Sequence, residues 1–161
     1  MDQKRFPDKK SVEDQKENLR GADLSGCTFL SHADLRGAKL RDADLRGANL
    51  RNANLSNADL LHADLSDAIL TCTKFFNADL RHADLRGTYL VVANLSRANL
   101  SNADLRGADL NNAYLIGTNL NYANLIGVDL LDSAFLNDAD LRGAGIGFVD
   151  LDELKFRGAI I

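Results

Sequence analysis

Tryptophan is absent, proline occurs once in 161 residues, and the only two cysteines, Cys27 and Cys72, stand at no metal-ligand spacing. Cysteines so few and so far apart exclude a disulfide-stapled scaffold and a zinc ribbon. Charge of one sign is also lacking. The 23 acidic and 19 basic residues leave a net −4, which excludes a polybasic nucleic-acid coat and a polyacidic tail. No apolar run approaches the ~20 residues of a bilayer-spanning helix. The opening residues, MDQKRFPDKK, carry charge where a signal peptide carries hydrocarbon. These absences predict a cytoplasmic protein with no membrane partner and no direct nucleic-acid contact.

What is present is a period. From Leu35 to Phe135 every fifth residue is large and apolar, always leucine except at Phe75 and Phe135. Two places before each sits a small residue, usually alanine, and Asp or Asn stands between them. Residues 43 to 60, ADLRGANLRNANLSNADL, show the unit as A-(D/N)-L-x-x. A repeat of five excludes the common elements. On a helix, with ~100° per residue, successive leucines would wander around the cylinder. A long strand needs alternation and a coiled coil needs heptads. Within one unit, however, Ala-x-Leu alternates in and out as a short extended segment does. The last two residues then turn a corner, where glycine allows unusual dihedrals. Short sides joined by corners, stacked at ~4.8 Å, make a solenoid around a leucine column.

The A-(D/N)-L-x-x signature resembles the pentapeptide-repeat family, from about Asn18 to the C-terminus, in a leucine-rich style similar to cyanobacterial members. The resemblance implies an all-β chain: a right-handed quadrilateral β-helix with four units per coil and about seven coils. The expected organisation is a charged N-terminal segment over 1–17, with a short helix from about Ser11 to Asn18, and the β-helix over 18–161. Two six-residue steps, Phe29 to Leu35 and Phe135 to Leu141, predict one-residue insertions near 30–32 and 136–138 that keep each Phe inside. Past Leu141 the five-residue step continues through Ile146, Leu151, Phe156 and Ile161, as a distorted last coil or a short helix around Asp150 to Lys155. The final FRGAII shows no cap, so the C-terminal end is expected to be apolar and open to a second copy, as in a homodimer.

Four units per coil stack residues twenty apart. Asp44, Asp64, Asp84 and Asp104 then form an acidic ladder, either salt-bridged by Arg46, Arg86 and Arg106 or offered to a basic partner. On the next face the outward residues are unexpectedly apolar. Ile69 stacks with Tyr89, Thr71 with Val91 and Cys72 with Val92, and Leu131 lies further along. Such a patch marks a candidate protein contact. Phe76, Tyr114 and Ile116 form a looser group on the adjacent face. His62 stacks over His82, but two imidazoles on a flat wall fall short of a zinc site. Cys27 points inward and Cys72 outward, so no bond between them is expected.

Catalysis needs a concavity and groups of perturbed acidity. A leucine-filled column with flat walls has neither, so no enzyme, cofactor or metal is expected. The leading expectation is a rigid scaffold for protein–protein interaction. The family resemblance also implies an alternative, a DNA mimic that binds a type II topoisomerase such as DNA gyrase. Residues 98–154 carry nine acidic and two basic side chains, whereas residues 1–56 carry nine and eleven. Duplex DNA carries one charge per ~1.7 Å, far denser than this chain.

Overall fold

A computed structural model of the chain describes residues 1–130, 134–147 and 151–161. The leucines and the small residues two places before them are buried, Leu45 and Ala48 both at 0% exposure. Parallel bridges join Asp44 to Asp64, Asp64 to Asp84, and Asp84 to Asp104. Others join Asn49 to Ile69 and Ile69 to Tyr89. Paired residues therefore stand twenty apart, as the period predicts. Each side turns after two or three residues, so most pairing takes the form of single bridges. The longer stretches are β1 (Ala113–Tyr114) and β2 (Ala134–Phe135), paired in parallel.

One unit shows why these residue types recur. In Ala43 to Gly47, the Ala43 N–H donates to Leu40 O across the corner at 3.1 Å, and Asp44 N–H donates to Ala22 O at 2.9 Å. Leu45 N–H donates to Asp64 O and Gly47 N–H to Ser66 O, at 2.7 and 2.9 Å. The fifth donor, Arg46 N–H, is met by the Asp44 side chain at 3.1 Å. Asp or Asn before the leucine is thus an Asx turn that completes the backbone's pairing. The last residue adopts the left-handed conformation, φ 62° at Gly47. Asn57, His62 and Val92 occupy the same place at 60°, 60° and 58°. Asn tolerates this region; β-branched valine does not.

Inward small positions also accept threonine when its hydroxyl finds a carbonyl. Thr73, Thr88 and Thr118 are fully buried, donating to Leu50 O, Leu85 O and Leu95 O at 2.7 to 2.8 Å. Cys27 takes such a place, and burial pushes the pKa of its thiol up.

Both expected insertions move. Cys27 and Leu30 are buried while Phe29 is half-exposed. The extra residue therefore lies between Cys27 and Leu30, not near 30–32: pairing stands twenty-one apart at Asp23–Asp44 and twenty apart from Asp34–Asn54 on, which puts Leu30 in the column. At the second site Ala134 pairs with Ala113 and Leu136 is buried, so Phe135 faces outward at 50% exposure. The extra residue therefore precedes Phe135 rather than following it near 136–138.

The N-terminal helix α1 spans Lys9–Asp14, with a 3-10 turn at Lys16–Asn18. It starts earlier than expected because Asp8, not Ser11, is the N-cap. Ser11 completes a capping box with it, its N–H donating to Asp8 Oδ1 at 2.8 Å. The segment supplies partners to backbone groups at the rod's first circuit. Asp34 N–H donates to Glu13 Oε1 and Lys39 N–H to Lys16 O, both at 2.7 Å, and Asp2 N–H donates to Asp23 O at 2.9 Å.

At the other end, Leu151–Phe156 forms helix α2 with Leu154 buried beneath it. The five-residue step therefore fails there: Leu151 is 44% and Phe156 87% exposed. The chain then pairs again, Ile160 with Asp140. The expectation of an uncapped FRGAII end is corrected accordingly. Among the described residues no helix is long and apolar enough to cross a membrane.

Glu13 acts as a side-chain surrogate for a missing strand. Glu13→Ala should strip the partner from Asp34 N–H and cost ~1–2 kcal/mol in urea unfolding, with faster hydrogen exchange at Asp34. Glu13→Gln, which keeps an acceptor oxygen, should cost less.

Candidate protein-interaction surface

Among the described residues, every exposed large hydrophobic side chain lies at or beyond Ile69. The expected patch is assembled as the spacing implies. Ile69 bridges to Tyr89, and these are 39% and 54% exposed. Cys72 N–H donates to Val91 O at 2.9 Å, which sets the corner Thr71–Cys72 on Val91–Val92. Val92 is exposed, and Val91 and Cys72 are half-buried. Leu131 lies outside the described residues.

Folding does not demand these residues. Ile69 and Tyr89 occupy the Asx position, where an Asp or Asn oxygen would meet the N–H two places on, as Asn49 meets Arg51 at 3.2 Å. Isoleucine and tyrosine offer no oxygen there. Val92 also holds a left-handed φ that costs an L residue roughly 1–2 kcal/mol. Local stability is given up at three neighbouring positions to place hydrocarbon outside.

The adjacent face holds apolar side chains as well, among them Tyr114 with Phe135 and, at its corner, Ile116. Tyr114 and Ile116 belong to the looser group expected from sequence. Phe135 was missed because the assumed register turned it inward.

The acidic ladder is present as a stacked column, yet guanidiniums meet most of its charge. Arg46 forks onto Asp44 through Nε and Nη2 at 2.9 and 2.6 Å. Arg86 and Arg106 fork likewise onto Asp84 and Asp104. Asp64 accepts from Ser66 N–H and Oγ at 3.0 and 2.7 Å, with Arg46 Nε 3.7 Å from its other oxygen. The paired guanidinium holds the pKa of Asp44, Asp84 and Asp104 below the ordinary carboxylate value. Asp79 is lowered by Arg81, and Asp140 falls to about 2 beside Arg142. The wall is therefore zwitterionic. His62 and His82 stack at 5.0 Å, and among the described residues no three metal-ligating side chains converge.

These depressed carboxylates make stability acid-sensitive. A carboxylate with a folded value below its unfolded ~4 contributes stability present above about pH 4 and lost as pH falls through the folded value. The thermal midpoint should stay level from about pH 7 to 5 and drop between about pH 4 and 2. Arg86→Ala should lower the midpoint at neutral pH and flatten the acid limb. A wild-type midpoint unchanged to pH 2 would contradict the assignment.

Comparison with known proteins places this geometry. No curated protein matches the chain. The chain is similar to HetL, a pentapeptide repeat protein involved in heterocyst differentiation regulation from the cyanobacterium Nostoc sp. strain PCC 7120. The identity is 32%, over 93% of this chain and 74% of that one, with a TM-score of 0.50. It is also similar to Rfr23, a pentapeptide repeat protein from the cyanobacterium Cyanothece 51142, at 40% identity over 66% of this chain and 61% of that one, TM-score 0.42. The family model for pentapeptide repeats matches residues 18–56, 33–71, 48–87, 73–112 and 93–130. With that model matched across most of its length, and with the five-residue unit, its Asx corner and its twenty-residue pairing in place, the chain belongs to the pentapeptide-repeat family.

Proposed function

We propose that this protein is a non-enzymatic, cytoplasmic scaffold for protein–protein interaction. Its body is a right-handed quadrilateral β-helix of about seven coils, its N-terminal helix a cap. The partner-binding patch is Ile69, Cys72, Tyr89, Val91 and Val92, with Leu131 continuing it. One observation carries the reading: Ile69 and Tyr89 displace the Asx oxygen that the fold uses elsewhere, and beside them Val92 holds a left-handed φ of 58°. A rigid rod places such a patch without the ordering cost of a flexible loop. A regulatory contact accords with what is said of HetL, involved in heterocyst differentiation regulation.

The ladder Asp44, Asp64, Asp84 and Asp104 serves in this reading as a stabilising wall. Its forks leave little net negative charge for a DNA mimic that binds a type II topoisomerase, the alternative for this fold, so the scaffold is preferred.

The test uses substitutions that favour the fold. Tyr89→Asn restores the corner acceptor, and Val92→Gly relieves the left-handed strain. Together they should hold or raise the thermal midpoint, by up to ~1 kcal/mol of stability, while abolishing recovery of the partner in affinity capture. Unchanged recovery with an intact fold would sink the patch.

A homodimer through the C-terminal end is a second proposal. It is favoured by the exposed Leu151, Phe156, Ile160 and Ile161. Sedimentation velocity should show a concentration-dependent dimer that Phe156→Glu converts to monomer; a strict monomer at all concentrations would refute it.

A further inference from the structure

The register shift before Ala134 gives the molecule a second apolar surface. It turns Phe135 outward, where its ring stacks on Tyr114 with centroids 4.9 Å apart and planes at 10°. Ile116 follows at the corner beyond Tyr114, 42% exposed. Val92, of the Tyr89 patch, stands at the opposite corner of this face, one circuit earlier. Two aromatic rings stacked on each other along a rigid wall present an apolar ridge with little conformational entropy to lose on binding.

Charge says what kind of partner fits. Residues 98–161 carry nine acidic and four basic side chains. Each of the four cations meets a carboxylate, Arg106 on Asp104, Arg142 on Asp140, Lys155 on Asp152 and Arg157 on Glu153. The excess in this half is acidic. Asp109 pairs in register with Tyr89 on one flank. Asp138 is exposed on the other, beside Asn137, whose carbonyl accepts the N–H of Gly117 at 2.8 Å. Toward the N-terminal end the Arg97 guanidinium is drawn over the Phe76 ring at 5.7 Å, one circuit before Tyr114, and at the other end Arg157 is held by Glu153.

We propose, building on the scaffold reading, that the Tyr114–Phe135–Ile116 face docks a basic protein segment. Its aromatic or aliphatic anchor packs on the stacked rings, and its lysine or arginine side chains meet Asp109 and Asp138. The apolar centre gives affinity and the acidic flanks give orientation and association rate. A nucleic acid is disfavoured by the same carboxylates.

The purified full chain is panned against random peptides displayed on phage. The enriched peptides are then measured in solution against wild type, the pair Tyr114→Ser/Phe135→Ser, and the pair Asp109→Asn/Asp138→Asn. Asparagine keeps the Asx acceptor at 109 and tolerates the left-handed φ of 58° at 138, so the second pair changes charge and leaves the fold. The proposal expects enriched peptides with net positive charge and an apolar anchor. Binding should weaken ~30-fold or more with the serine pair, and several-fold with the asparagine pair or at molar salt. Peptides that need the rings yet carry no positive charge, or that ignore the asparagine pair, overturn the assignment of a basic partner and leave the scaffold reading standing. Peptides indifferent to Tyr114, Phe135, Tyr89 and Val92 alike overturn both.

Discussion

The structure depends on satisfying five backbone donors every five residues. Two go along the rod to neighbouring circuits through Asp44 and Leu45, a third through Gly47, a fourth spans the corner from Ala43, and the fifth goes to the Asp44 side chain. This last bond explains the sequence better than propensity does. A corner without an Asx oxygen leaves an N–H facing outward with nothing from its own unit to meet it. Leucine and alanine fill the column, but Asp and Asn let the chain turn at the same angle each time. The column can be filled by other hydrocarbons, as Phe75 shows.

The same bond sorts ion pairs by purpose. Where Asp precedes the leucine and arginine follows it, the arginine folds back on the Asp of its own unit, as Arg46, Arg81 and Arg142 do. The Asp therefore accepts a backbone N–H and a guanidinium together, and its negative charge is spent locally. Stacked carboxylates twenty residues apart would repel, yet the forks place a cation between successive layers, with Arg86 Nε 2.8 Å from Asp84 and 3.9 Å from Asp104. A column that looks acidic in sequence is close to neutral in space. Counting charges along a chain misreads a surface whose cations are tethered to its anions.

That distinction marks what was legible in the sequence. The period, the inward leucines, the twenty-residue stacking of Asp44 on Asp64 and of His62 on His82, and the outward Ile69 and Tyr89 all follow from spacing. The insertions did not. A six-residue step shows that one residue is extra but not where it goes, and two readings of FLSHADL differ only in whether Phe29 or Leu30 enters the column. The pairing decides for leucine. The end of the chain was ambiguous for a related reason. Spacing kept pointing to Leu151 and Phe156, whereas the helix places Leu154 inward instead. The consequence reaches the candidate surface, because Phe135 joins Tyr114 only in the shifted register.

A regular solenoid makes departures readable in a way that an ordinary globular domain does not. Its rules assign every position a residue type for a physical reason, so an outward isoleucine at an Asx position or a valine in the left-handed region has a definite local cost. The Asx bond contributes up to ~1 kcal/mol and the left-handed conformer costs roughly 1–2. Where they adjoin, as Ile69 with Tyr89 and Tyr114 with Phe135, such departures pair from circuit to circuit on two adjacent faces, whereas Tyr122 and Ile126 stand exposed singly on the other two. Adjoining departures make a continuous apolar strip, which single ones do not, and the ion-paired stretches around the strip are the background that makes it distinguishable to a partner.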